Sequence, residues 1–236
     1  GDWSSDVCSS DLSFPAKYSS SKSLVAKARL EQLHENLRGA RSAMIVGGGT
    51  VGLELTGELA HAFPDLDITI VEKGDTLLAS PSYAEELREE IASQLDELGI
   101  RVVTGSEFAF LPPQNVGELG HFQVTTMNGE EIEGDIWFQC YGTRANSGYL
   151  AGTEYEPMLH PDGTIRVDST QQVTGFETTY AVGDVTDVRE SKRADAARQQ
   201  ARVVIANISA QIAGQAPSAV YEPTKEWVVL PLGPRG

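Results

Sequence analysis

The glycines Gly47, Gly49 and Gly52 lie in the run Ile45-Val46-Gly47-Gly48-Gly49-Thr50-Val51-Gly52-Leu53-Glu54, and an acid, Glu72, follows 20 residues after Gly52. An apolar strand, a Gly-x-Gly-x-x-Gly turn, a helix and a second apolar strand ending in an acid form the order that a dinucleotide needs. Gly47 permits the tight turn, Gly49 lets the backbone approach a pyrophosphate, and Gly52 lets helix and strand pack closely. The phosphates are expected at the helix N-terminus, against the unpaired N–H groups around Gly48, Thr50 and Val51, where the helix dipole favours negative charge. Glu72 is placed to accept hydrogen bonds from the adenosine ribose hydroxyls and to repel a 2′-phosphate, which favours NADH. NADPH stays open, because Lys73 follows directly and can meet a phosphate.

The elements that must position this turn are legible in the periodicity. Leu24, Leu30, Leu33 and Leu37 recur at helical spacing over Ser23 to Leu37, and Ala43 to Val46 reads as the first buried strand. Val51, Leu55, Leu59 and Ala62 continue the helix after the turn, with Gly57 allowing close packing, and Phe63-Pro64-Asp65 ends it before the strand Ile68 to Val71. Ser82 and Glu85 form a capping box for a helix with the stripe Leu87, Ile91, Leu95 and Leu98, closed by Gly99. Ile100 to Thr104 is a third strand. Phe122 to Met127 alternates and meets Asn128-Gly129, a strong hairpin signal, after which Ile136 to Cys140 returns to the sheet. Residues 42–149 therefore read as one α/β dinucleotide-binding domain.

Beyond it, Thr164 to Val167 and Thr178 to Val182 are expected as short strands, the second ending in Gly183-Asp184. A helix over Arg193 to Ile212 follows, with Ala197, Ala201, Val204, Ile205, Ile208 and Ile212 on its apolar side. A Gly-Asp pair ahead of a helix suits a cofactor hydroxyl on the carboxylate, and is otherwise an ordinary turn.

Composition narrows the classes. The 236 residues carry a net charge of −16. This falls to −13 when Asp2, Asp6 and Asp11 are set aside, since residues 1–12 hold no Lys or Arg. Those first residues, Asp2-Trp3-Ser4-Ser5-Asp6-Val7-Cys8-Ser9-Ser10-Asp11-Leu12, resemble a translated sequencing adapter and are excluded from fold reasoning. So acidic a surface disfavours nucleic acid, and no apolar run approaches the roughly 18 residues of a membrane span. With Cys8 set aside only Cys140 remains, so there is neither a Cys-x-x-Cys redox pair nor zinc spacing. His34, His61, His121 and His160 are scattered, and His160 precedes the turn signal Pro161-Asp162-Gly163 in an expected solvated loop. No metal site is expected.

The order Gly47-x-Gly49-x-x-Gly52-x-Glu54, then Gly142, then Tyr180-Ala181-Val182-Gly183-Asp184 resembles the two-dinucleotide-domain flavoprotein reductases. Within them it resembles the apoptosis-inducing-factor-like branch of mitochondrion-associated 2 or ferroptosis-suppressor type, with type II NADH dehydrogenases as relatives. Phe14-Pro15-Ala16-Lys17, Cys140-Tyr141-Gly142 with Asn146-Ser147, Asp187-Val188-Arg189 with Lys192, Val203 to Ile208, and Tyr221-Glu222-Pro223 extend the likeness over nearly all of Ser13 to Gly236.

The resemblance implies a Rossmann-like fold truncated at both ends, with a complete NAD(P)H domain at 42–149. Residues 13–41 would be linker and helix from the FAD domain, and 150–236 an incomplete second FAD segment. It assigns Gly47, Gly48, Gly49, Thr50, Val51, Gly52, Glu72, Lys73 and Gly142 to NAD(P)H, and Gly183, Asp184 and Lys192 to FAD. Glu54 matches a glutamate near nicotinamide and flavin, its alternative being a surface helix residue. Cys140-Tyr141 stand where the family has Ala-Thr before Gly142, and Cys140 reads as a small strand residue rather than a redox thiol.

The implied reaction passes a hydride from NADH to FAD and electrons to a quinone-like acceptor. The absence of a Cys pair argues against a disulfide relay. A cytoplasmic location is expected, with peripheral membrane association through segments outside the chain left open. Two alternatives remain: a stand-alone NAD(H)-binding regulatory module, and an inactive truncated gene product.

Overall fold

The computed structural model describes residues 10–11, 14–15, 23–79, 83–142, 144–223 and 230–233. Residues 1–9 of the adapter-like stretch, Ala16 and Lys17, Ser82, and most of the final stretch from Val228 lie outside them. The chain divides into two compact units, Leu12–Gly142 with Trp227–Gly236, and Gly1–Asp11 with Thr143–Glu226.

In the unit built on Leu12–Gly142, four parallel strands lie in the order β4-β3-β2-β7. They are β2 (Ser42–Val46), β3 (Asp67–Val71), β4 (Arg101–Val103) and β7 (Ile136–Gln139). β2 pairs with β3 on one side (Ala43 opposite Ile68) and with β7 on the other (Met44 opposite Trp137). Both faces of this sheet are covered, so continuous apolar runs such as Ala43–Val46 and Ile136–Phe138 replace strict alternation. Ala43, Ile45, Ile68, Ile70, Ile136 and Phe138 point into one core with Leu33, Leu37, Leu53, Leu59, Ile91 and Leu95. Those last six come from helices α1 (Ser23–Gly39), α2 (Thr50–Ala62) and α3 (Glu85–Glu97). Met44, Val46, Val71, Val103 and Trp137 point the other way, onto Phe122, Val124 and Ile132 of the hairpin β5 (Phe122–Thr125) and β6 (Glu131–Gly134). Each fully buried aliphatic side chain contributes about 1.5–3 kcal/mol, which makes the first core the main anchor of the unit.

Helix α3 ends in a Schellman motif: Ile100 N donates to Leu95 O at 2.9 Å and Gly99 N to Asp96 O at 2.9 Å, with Gly99 at φ +70°. Its start differs from the expected capping box. The helix begins at Glu85 with Ala84 as its cap and no side-chain cap bond, and the Glu85 carboxylate accepts from Arg88 Nη1 at 2.8 Å. Glu85 thus lies at the first helical position, too early for the back-bond that a capping glutamate makes three residues beyond its cap. Residues 230–233 add to this unit through Leu232, which is buried; a Cβ on Gly57 of α2 would stand 2.5 Å from Gly233 N.

The unit of Thr143–Glu226 has a smaller core of Ala145, Ile165, Val173, Ala181 and Val185. Among its described residues the expected strands around Thr164–Val167 and Thr178–Val182 are not regular strands. They reduce to single bridges, Leu159 with Ile165, Ile165 with Thr186, Val167 with Val173, and Gln172 with Tyr180. Turns closed by Gly163 N to His160 O and Gln171 N to Asp168 O interrupt the ladder before a second rung can form. Ser10–Asp11 (β1), within the stretch set aside as extraneous, pairs antiparallel with Arg144–Ala145 (β8).

Helix α4 (Ala194–Ile212) has its predicted length, but its buried residues are Ala196, Gln200 and Asn207. The expected apolar side is only partly its inner face: Ala197, Ala201 and Val204 are half-buried, but Ile205, Ile208 and Ile212 are exposed. Hydrogen bonds to turns decide the orientation. Asn207 Nδ2 donates to Thr170 O at 3.0 Å and Ala219 O at 2.8 Å, and its Oδ1 accepts from Ser218 N and Ala219 N at 3.0 and 2.9 Å. Turning that side chain outward would strand four backbone groups.

Candidate functional site

The chain leaves β2 for α2 and β3 on one side of the sheet and returns as β7 on the other. This reversal creates a crevice at the carboxyl ends of the strands, where ligands bind in open α/β sheets. The glycine turn occupies it. Gly47 has φ +110°, a Cβ there would meet Cys140 O at 2.8 Å, and its N–H donates to Val71 O at 2.8 Å. A Cβ on Gly52 would stand 1.9 Å from Gly47 O, so the helix can begin this close to the turn only with glycine there.

Gly49 is different, because no atom beyond its two chain neighbours lies within 4 Å of the position a Cβ would take. It caps α2 in extended conformation with no side-chain cap bond, and the first turn carries no acidic residue. The open ground is therefore at Gly49, next to the half-buried Thr50 and Val51 that begin α2, with the positive end of the helix dipole behind it. That open ground beside uncapped donors is what a pyrophosphate requires, and the residues fit NAD(H) on this observation.

A cavity of about 300 Å³ continues from the turn, lined by Gly47, Glu72, Lys73, Glu107, Phe108 and Tyr141 among others. Glu72 is fixed at its entrance: Oε2 accepts from Gly48 N at 2.6 Å and Oε1 from Gly74 N at 2.7 Å. One backbone donor on each oxygen leaves acceptor capacity on both for ribose hydroxyls. Lys73 Nζ pairs with Glu107 Oε2 at 2.6 Å, and that bond with the attendant charge raises the lysine above its ordinary value. Glu107, Phe108, Leu111 and Tyr141 were not singled out as site residues in the sequence. Their one signal is position, just past the carboxyl ends of β4 and β7.

Cys140 closes the floor of the turn, and burial pushes its thiol up to about 12. It is a packing residue at neutral pH, not a thiolate nucleophile. Gly142, at φ +81°, is the exposed end of this unit's segment after β7. Glu54 is exposed on α2.

The second candidate set is in the other unit. Gly183 has φ +81° and begins a short 3-10 turn over Gly183–Val185; its N–H donates to Gln200 Oε1 of α4 at 2.6 Å. Asp184 is half-buried on that turn. Lys192 does not aim at open space: its Nζ donates to Thr186 O at 2.6 Å and Val188 O at 3.0 Å. Desolvation of the ammonium lowers Lys192 from its ordinary value, against the raising pull of Glu190, Asp184, Asp187 and Asp162. These side chains enclose a cavity of about 0 Å³, against the 300–1,000 Å³ of sites that enclose a cofactor. The described residues can edge a flavin site but do not enclose one.

His160, expected in a solvated loop, is half-buried and its Nε2 lies 3.1 Å from Asp187 Oδ2. The Pro-Asp-Gly turn forms as expected, yet it folds the ring back onto the carboxylate that also accepts from Val167 N. Among the described residues no group of three or more His, Cys, Asp or Glu can hold a metal ion, and no helix is long and apolar enough to cross a membrane.

Comparison with known proteins bears on both sets. The family described as pyridine nucleotide-disulphide oxidoreductase matches residues 15–201. The chain belongs to this family. FAD-dependent oxidoreductase FVFD30 of Flammulina velutipes is 32% identical over 226 residues, 95% of this chain and 67% of the relative. Ferroptosis suppressor protein 1 of Homo sapiens is 27% identical over 222 residues, 93% of this chain and 59% of the relative. The chain lies in the ferroptosis-suppressor and apoptosis-inducing-factor-like branch of the family, whose members bind FAD and NAD(P)H. A solved NAD-dependent persulfide reductase from A. fulgidus superposes with a TM-score of 0.59 at 24% identity, over 85% of this chain and 35% of that one, which shows the fold. The chain spans about six tenths to two thirds of the length of these curated relatives.

Proposed function

We propose that this chain carries the NADH-binding domain and part of the flavin-binding domain of an FAD-dependent NAD(P)H oxidoreductase that delivers electrons to a quinone-like acceptor. The single observation that supports it best is the open ground over Gly49, beside an uncapped helix N-terminus and a cavity headed by Glu72. In this reading the N–H groups of Thr50, Val51 and Gly52 hold the pyrophosphate, Glu72 holds the adenosine ribose, and Gly142 and Glu54 flank the nicotinamide. Asp184 and the N-terminus of α4 hold part of FAD, with Gly183 giving the backbone room and Lys192 bracing the loop beside it. FAD, when bound, supplies the hydride-accepting and electron-relaying chemistry, and the protein supplies orientation and exclusion of water. The quinone-like acceptor rests on the branch to which the relatives belong.

The test is incubation of the purified 236-residue chain with FAD, NADH and a soluble quinone. NADH bound without retained flavin and without quinone reduction is the expected outcome. Retained flavin with turnover would contradict the partial flavin site. A chain that binds NADH and changes its association with a partner instead would favour a regulatory module, and one that binds nothing would be an inactive product.

A further inference from the structure

Lys73 and Glu107 face the cavity that holds Glu72, yet neither contributes appreciably to stability, since an exposed ion pair is worth little. Their joint position has a different consequence. Lys73 is the cation nearest in sequence to the ribose-binding acid, and a 2′-phosphate on that ribose is the ligand feature a lysine there would recognise. We propose that Glu107 is a specificity residue for the nicotinamide cofactor: by occupying the Lys73 ammonium it withholds that cation from a 2′-phosphate and keeps the site selective for NADH.

The inference rests on the reading of this cavity as the adenosine end of an NAD(H) site. It adds a second device to the repulsion by Glu72. Glu72 opposes a phosphate directly, with two backbone donors fixing it in place. Glu107 opposes it indirectly, by neutralising the one lysine of the cavity lining. The raised lysine pKa has the same origin, the hydrogen bond to Glu107 and its charge. Glu107 follows β4, the edge strand of the sheet, so it reaches the site from an element that the glycine fingerprint does not include.

The experiment titrates NADH and NADPH separately onto the full chain and onto the Glu107→Gln and Lys73→Ala/Glu107→Gln variants. Glu107→Gln keeps the side-chain shape and sits at a half-exposed position, so the fold is retained, as circular dichroism will verify. NADPH affinity relative to NADH should rise about five-fold in Glu107→Gln, as one liberated, solvent-screened charge contact predicts. The gain should shrink as salt is raised and disappear in the double variant, because it acts through Lys73. NADH binding with no relative gain for NADPH in Glu107→Gln would overturn the role of Glu107 and leave the site standing. A gain that persists in the double variant would also overturn it, by showing that loss of the glutamate charge alone suffices. Failure of the unmodified chain to bind NADH would instead overturn the site, and the inference with it.

Discussion

The two units contrast in how they bury their backbone. Around β2, β3, β4 and β7 every strand has a regular parallel partner and both faces are covered by apolar side chains. Around Gly183 the chain is held by isolated bridges, turns and the amides of Gln200 and Asn207, while a row of isoleucines on α4 faces outward. The first arrangement is a cooperative core that makes a rigid frame for a ligand; the second depends on a few polar pins. The difference teaches that a cofactor motif is only as complete as the sheet that carries it. The glycine turn has its whole frame, and the Gly-Asp motif has a short turn and one helix.

That contrast can be broken by mutation, and the largest effect is expected in the sheet. Ile70→Ala, at a wholly buried position of β3, should cost about 4 kcal/mol, whereas Ile212→Ala on α4 should stay within about 0.5 kcal/mol. Denaturant unfolding of both variants measures the gap, and equal costs would erase the distinction. Asn207→Ala should be next, at about 3 kcal/mol, because it leaves two carbonyls and two N–H groups without their partner. Hydrogen exchange should localise the damage to Thr170 and residues 218–219.

A pair within the glycine turn sharpens the same point about frame and ligand. Gly52→Ala forces a Cβ onto Gly47 O and should cost about 3 kcal/mol. Gly49→Ala, with open space around it, should leave the unfolding midpoint unchanged while weakening NADH binding about tenfold. Of similar size, Glu72→Ser should shift the NADPH-to-NADH preference about tenfold towards NADPH, read by paired titrations; an unchanged preference would count against Glu72 as the ribose acid.

The last effect concerns alkaline pH and is absent at neutral pH. The Cys140 thiol is held up to about 12 against an ordinary 9.0. Above pH 9 the unfolded chain therefore binds fewer protons than the folded one and stability falls as pH rises towards 12. Iodoacetamide at pH 8 should leave Cys140 unlabelled in the folded chain and label it in urea, as peptide mass spectrometry would show.

Much of the dinucleotide unit was legible because its signals are local. The Asn128-Gly129 hairpin, the Gly99 helix stop and the glycine turn each depend on one residue type at one backbone conformation. The adenosine-end cavity was not legible, since Glu107, Phe108 and Tyr141 reach it from separate strands, and strand order across a sheet leaves no local pattern. In the other unit, the apolar period of α4 marks only part of its inner face. Ile205, Ile208 and Ile212 fit a core stripe, but Gln200 and Asn207 satisfy turn backbones that no hydrophobic period encodes. The chain around Ile165 and Tyr180 forms single bridges rather than strands for a related reason: β-propensity marks extended chain, while a ladder needs a partner of matching length.

Calorimetric titration of NADH into the full 236-residue chain, with Gly49→Ala alongside, tests the central claim most directly. A saturable 1:1 isotherm for the unmodified chain, weakened about tenfold in a Gly49→Ala variant of unchanged stability, is the predicted result. No heat of binding from the folded, unmodified chain, or equal affinity in both proteins, would contradict it.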